Sequence, residues 1–137
     1  MPNWCSTTYI FRGDKDELDI LYDKIAKWTA SSFGKTDFGR DWLGNILYGA
    51  GLGDRIDNPD ANGYLRCRGT LVDIYPFDGY LQLTTETAWN PMSTMWDAVI
   101  EQLGLTTVGF TFMAEECGCG LYQIYDPHNY GDFEGIA

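Results

Sequence analysis

"NWCSTTYIFRGD", residues 3–14, is the stretch on which the fold turns. Trp4 to Arg12 is made of aromatic, β-branched and small polar residues, the make-up of a strand. Side chains alternate across a strand, so Trp4, Ser6, Thr8 and Ile10 fall on one face and Cys5, Thr7, Tyr9 and Phe11 on the other. Neither face is plainly polar. The stretch therefore reads as an interior strand, with one face on the core and the other partly covered. It does not read as a secretory leader, because Ser6, Thr7, Thr8 and Arg12 interrupt the apolar run of about 7–15 residues that a leader needs.

Downstream, Gly13-Asp14 ends the strand. Asp14 followed by Glu17 is a helix-start pattern, an N-cap oxygen plus a carboxylate in the first turn. Leu18, Leu21, Tyr22, Ile25 and Trp28 then recur at helical spacing, which predicts an amphipathic helix fading near residues 30–32. Residues 33–62 form a Gly-rich irregular insert, in which Trp42, Leu43, Ile46, Leu47 and Tyr48 predict about two helical turns. Beyond it come two strands, one at about 64–75 with a bulge or bend expected at Gly69, the other at 80–87, joined through "PFDG". "NPMSTMWDAVIEQLG" predicts a second helix, with Asn90 as N-cap, Pro91 in the first turn and Gly104 as the stop. "TVGFTFMAEE" alternates as a fourth strand, and "GCGLYQIYDP" holds a fifth.

The order is β-α-β-β-α-β with an extra C-terminal strand. It predicts an α+β fold: a ferredoxin-like antiparallel sheet, both helices on one face, the first strand central, and residues 1–137 as a single domain. A chain of 137 residues is one domain's worth of material. "MPNWC" at the start, "RGT" followed by Asp73, and "TTETAWNP" leading into a helix resemble the YubB-type ferredoxin-like domain, which is also found in Api-like phage proteins. Arg68 stands where that pattern has Trp. The resemblance implies the fold and an origin on phages, plasmids or related mobile elements; it carries no catalytic residues.

Nine Lys+Arg against 20 Asp+Glu give a net charge of −11 and a pI near 4.2. Such a surface repels phosphate, which argues against nucleic acid and anionic membranes as partners and for a basic protein. No segment approaches the roughly 20 apolar residues of a membrane span, so a cytoplasmic location with reduced cysteines is expected. Cys117-Gly-Cys119 is the only close cysteine pair, and its single-residue gap is shorter than the spacing of zinc sites, so no metal or other cofactor is expected. His128 is the only histidine and no nucleophile is tied to it by a motif. Tyr9, Tyr80, Tyr122 and Tyr125 are candidates for an exposed stacking face of the kind that RNA-binding sheets use.

These features favour a non-enzymatic accessory domain acting by protein–protein contact through an acidic surface. The alternative is a small-ligand or phosphate-binding protein, or an enzyme, with a pocket between the insert and the open sheet face. Its candidate residues are Arg66, Arg68, Asp73 and Glu86, since an Arg pair grips phosphate or carboxylate and paired acids bind cations or move protons.

Overall fold

A computed structural model describes residues 4–30, 41–56, 58, 60, 65, 67–88, 92–116, 121–127 and 130–131. The chain is α+β. Among the described residues, five strands form one antiparallel sheet: β1 (Trp4–Arg12), β2 (Gly69–Phe77), β3 (Tyr80–Ala88), β4 (Gly109–Glu116) and β5 (Leu121–Tyr125), in the order β2-β3-β1-β4-β5. Among the described residues, three α-helices accompany them: α1 (Lys15–Ala30), α2 (Leu43–Gly49) and α3 (Thr94–Leu103), with a 3-10 turn at Gly53–Arg55. As the alternation predicts, β1 lies at the centre of the sheet, between β3 and β4, and Cys5, Thr7, Tyr9 and Phe11 point into the interior.

The core is sealed on that face. Leu18, Leu21, Ile25 and Trp28 of α1, Leu43, Ile46 and Leu47 of α2, and Met95, Trp96 and Val99 of α3 belong to one apolar cluster with Tyr9, Phe11, Leu81, Leu83 and Phe112. Trp96 is its keystone: its ring centroid lies 5.8 Å from Tyr9 and 5.6 Å from Phe11. Burial, helped by the neighbouring Cys5, pushes the Tyr9 phenol well above its ordinary pKa and keeps it neutral.

Glu17 does something that its local pattern does not predict. Its Oε1 accepts the N–H of Thr107, 90 positions away, while the N–H of Asp14 donates to Thr107 Oγ1. The start of α1 is thereby clipped to the entry of β4. Gly104 ends α3 as predicted, in the left-handed region at φ 70°, with the N–H of Leu105 returning to Ile100 O. Asn90 and Pro91, the predicted start of that helix, lie outside the described residues.

β2 differs from its sequence reading in two ways. It starts at Gly69 rather than near 64, and its irregularity falls between Leu71 and Asp73 rather than at Gly69. Gly69 is there because β3 comes too close for a side chain: a Cβ would meet Glu86 O at 2.4 Å. The extra residue is Val72, 52% exposed. β2 runs into the hairpin turn Asp78-Gly79, where Gly79 has φ 89° and the rings of Phe77 and Tyr80 stack at 4.8 Å. The insert is partly structured. α2 supplies the two predicted turns, Trp42 Nε1 donates to Cys67 O, and the N–H of Leu71 donates to Asp41 O at 2.7 Å, tying the insert to the outer edge of β2.

Candidate functional site: the open sheet face and a cleft at its end

Residues directly opposite one another on antiparallel strands share a face, so the register writes out the side of the sheet that the helices leave uncovered. One row is Thr70–Glu86–Ser6–Glu115. The next is Asp73–Thr84–Thr8–Met113–Ile124, then Tyr75–Gln82–Ile10–Thr111, and Phe77–Tyr80 at the hairpin end. The rows mix hydroxyls and carboxylates with Ile10 and Met113, and exposed aromatic groups stand at the margins: Trp4 is 44% exposed, Tyr75 51% and Phe77 48%.

The bulge decides part of this composition. Simple alternation from the buried Leu71 would send Asp73 and Tyr75 inward; the extra Val72 reverses the phase, so that Ile74 faces Leu83 and Asp73 faces Thr84. Asp73 and Glu86, two of the predicted site residues, thus share the open face and are joined there by Glu115. Arg68 is exposed at the start of β2, its carbonyl accepting the N–H of Ala88. Arg66, Cys117, Cys119 and Tyr122's side chain lie outside what is described. Among the described residues no group of three or more His, Cys, Asp or Glu is placed to hold a metal ion. Tyr9, taken as a stacking candidate, is fully buried on the opposite face, against Trp96. Tyr80 does stand on the open face, packed against Phe77.

A cavity of about 370 Å³ lies not among the predicted residues but at the other end of the sheet, where β1 and β4 run past the end of β5. β5 pairs with β4 only as far as Phe112. Its lining includes Ile10 and Arg12 from the open face of β1, Phe110 of β4 and Ile100 of α3 from the helix side, and Tyr125, Pro127 and Tyr130. The Arg12 guanidinium lies 4.6 Å from the centroid of the Tyr130 ring, a cation–π stack that holds the segment after β5 against the sheet. That segment is itself braced: the N–H groups of Tyr130 and Gly131 donate to the two carboxylate oxygens of Asp126 at 2.9 and 2.8 Å. Asp97 of α3 also lines the cavity, and partial burial raises its carboxyl above the ordinary value.

Sequence reasoning passed over this cleft. Arg12 was visible as a lone cation closing an otherwise uncharged strand, but its partners come from α3, β4 and the segment after β5, and no local spacing joins them. Comparison of the chain with protein-family models, curated proteins and solved structures gives no match.

Proposed function

We propose that this protein is a non-enzymatic accessory domain of a phage, plasmid or other mobile element, acting in the cytoplasm by contact with a basic protein. The observation that carries this reading is the uncovered sheet face, where Glu86, Glu115 and Asp73 stand beside exposed Tyr75, Phe77 and Trp4. Aromatic anchors next to unpaired charge are what a protein partner uses: the rings give contact area, and the carboxylates give orientation and a fast encounter. The net charge of −11 turns phosphate-bearing partners away and draws basic ones. Among the described residues, no helix is long and apolar enough to cross a membrane.

The strand order, with a helix after β1 and another after β3, supports a ferredoxin-like reading in which β5 extends the sheet past β4. The mobile-element origin rests on the likeness of "MPNWC" and "TTETAWNP" to the YubB-type domain. The test is capture from host lysate at about 50 and about 300 mM salt, a range over which surface charge attraction is strongly screened. Wild type should retain a basic protein at the lower salt and lose it at the higher. The double variant Glu86→Lys with Glu115→Lys should lose it at both. Retention that ignores salt and both substitutions overturns the reading.

A further inference from the structure

The helix-side half of the cleft is an apolar wall with one carboxylate at its end, and we propose that it takes a lysine side chain of the basic partner, the four-carbon stem lying on Ile100, Phe110 and Tyr125 and the ammonium on Asp97. This deepens the protein-contact reading and rests on it, since it names a second place where such a partner is held and the residue it offers there.

Strand register fixes which lining residues belong to that half. Phe110 lies opposite Phe11, which is fully buried in the core. Tyr125 lies opposite Phe112, another core residue, and stacks on its ring at 5.2 Å. It therefore stands on the helix side too, with its ring 5.9 Å from that of Phe110. Ile100 of α3 packs against the same core, and Asp97 precedes it by about one turn. Ile10 and Arg12 line the cavity from the open face, and the β4 backbone stands between them and this half.

Two observations point to a cation carried on an apolar stem. The first is the wall. Ile100 and Phe110 are only partly buried and Tyr125 is 45% exposed, so apolar surface is left open along the cavity, and ring faces attract cations. The second is the carboxylate. Among the described residues, Asp97 is the only acid lining the cavity, and no cation or hydrogen-bond donor meets it. It is nonetheless partly withdrawn from water, which raises its pKa, and an ammonium brought to it relieves that cost. Glu17 adds negative charge close by, its Oε1 accepting the N–H of Thr107, which also lines the cavity.

Lysine fits the dimensions. Asp97 and Ile100 are three residues apart on α3, about 4.5 Å along its axis, a gap that four methylenes span. Long basic side chains lay such stems along apolar surface while the charged head reaches a polar group. An anion would meet the carboxylates of Asp97 and Glu17, and an uncharged apolar side chain would leave Asp97 without a partner.

The probes are Nα-acetyl-lysine N-methylamide, the same compound with its side-chain amine acetylated, and n-butylammonium. Each is titrated into the full chain at about 20 mM salt, where charge attraction is little screened, and followed by amide chemical shifts up to about 50 mM probe. The lysine probe should bind with its largest shifts at Asp97, Ile100, Phe110 and Tyr125, and the acetylated form should bind at least about threefold more weakly. Asp97→Asn should weaken the lysine probe by about 3- to 10-fold. Glu101→Gln removes the same charge from α3 without touching the cavity lining, and should change binding by at most about twofold. Equal loss in the two variants, equal binding of the acetylated form, or no binding at all overturns the proposal. Butylammonium, which has stem and charge alone, should bind no more tightly than the lysine probe; binding about tenfold tighter overturns the lysine and assigns the site to small amines. Asp97 stands in none of the open-face rows, so Glu86→Lys with Glu115→Lys should leave the shifts at Asp97 in place. Loss of this site and loss of salt-dependent capture are thus read separately.

Discussion

Glu17 and Gly69 show how much a single residue's role depends on what the fold brings to it. Glu17 sits three places after Asp14, the spacing of a local cap, yet its oxygen serves the N–H of Thr107 at 3.0 Å. Gly69 reads as a bend and is instead a point of contact, where a Cβ would meet backbone: Glu86 O at 2.4 Å and the Thr87 Cα at 2.9 Å. Neither atom can swing away as a flexible side chain would. Gly69→Ala should therefore cost about 1–3 kcal/mol by forcing β2 off β3, read as a lower urea midpoint. Gly109→Ala, with open space at its Cβ, should stay within about 0.5 kcal/mol of wild type in the same measurement. Asp97 makes a pH prediction. Its folded pKa is raised by burial above the ordinary aspartate value, so between those two values the native state holds a proton that the unfolded state has lost. Its contribution to stability is greatest below that interval and falls as pH rises through it. From about pH 3.5 toward neutral, the urea midpoint of wild type should fall relative to that of Asp97→Asn measured at the same pH.

At the scale of elements, Trp96 is the largest of the side chains by which α3 enters the core, beside Met95, Ala98 and Val99. Trp96 is fully buried and meets both Tyr9 and Phe11 of the central strand. Trp96→Ala should cost about 3–5 kcal/mol, a large part of the roughly 5–15 kcal/mol that holds a domain together. Calorimetry should show the thermal midpoint falling steeply, and a midpoint within a few degrees of wild type would mean that α3 is not anchored there. The β2–β3 hairpin has the opposite character. Its Phe77 and Tyr80 stack on each other on the open face. β2 is also an edge strand, and its Pro76, its bulge and the Asp41–Leu71 hydrogen bond are the devices by which edges resist pairing with further strands. That protection matters on a surface this rich in exposed aromatics.

For the whole molecule, one face of the sheet meets the core and the other carries hydroxyls, carboxylates and marginal aromatics. A sheet whose helices share one side leaves its other side available, and that asymmetry is what makes contact with a partner the function best supported. The two candidate regions lie apart: the acidic row runs across Thr70, Glu86, Ser6 and Glu115 on the open face, while the cleft reaches from Ile10 and Arg12 to Asp97 and Ile100 of α3.

The sequence by itself determined the elements and their inward stripes. Helical spacing from Leu18 to Trp28, strict alternation from Cys5 to Phe11, and Gly104 as a helix stop are local signals, set by backbone periodicity and by steric limits within a few residues. Only the tertiary structure decided which face Asp73 joins, what Glu17 holds, and that Arg12, Asp97, Phe110 and Tyr130 surround one cleft. The physical reason is common to all three. Strand phase after a bulge, the partner of a carboxylate and the walls of a cavity depend on groups that approach through space from distant parts of the chain, and periodicity carries no information about those encounters.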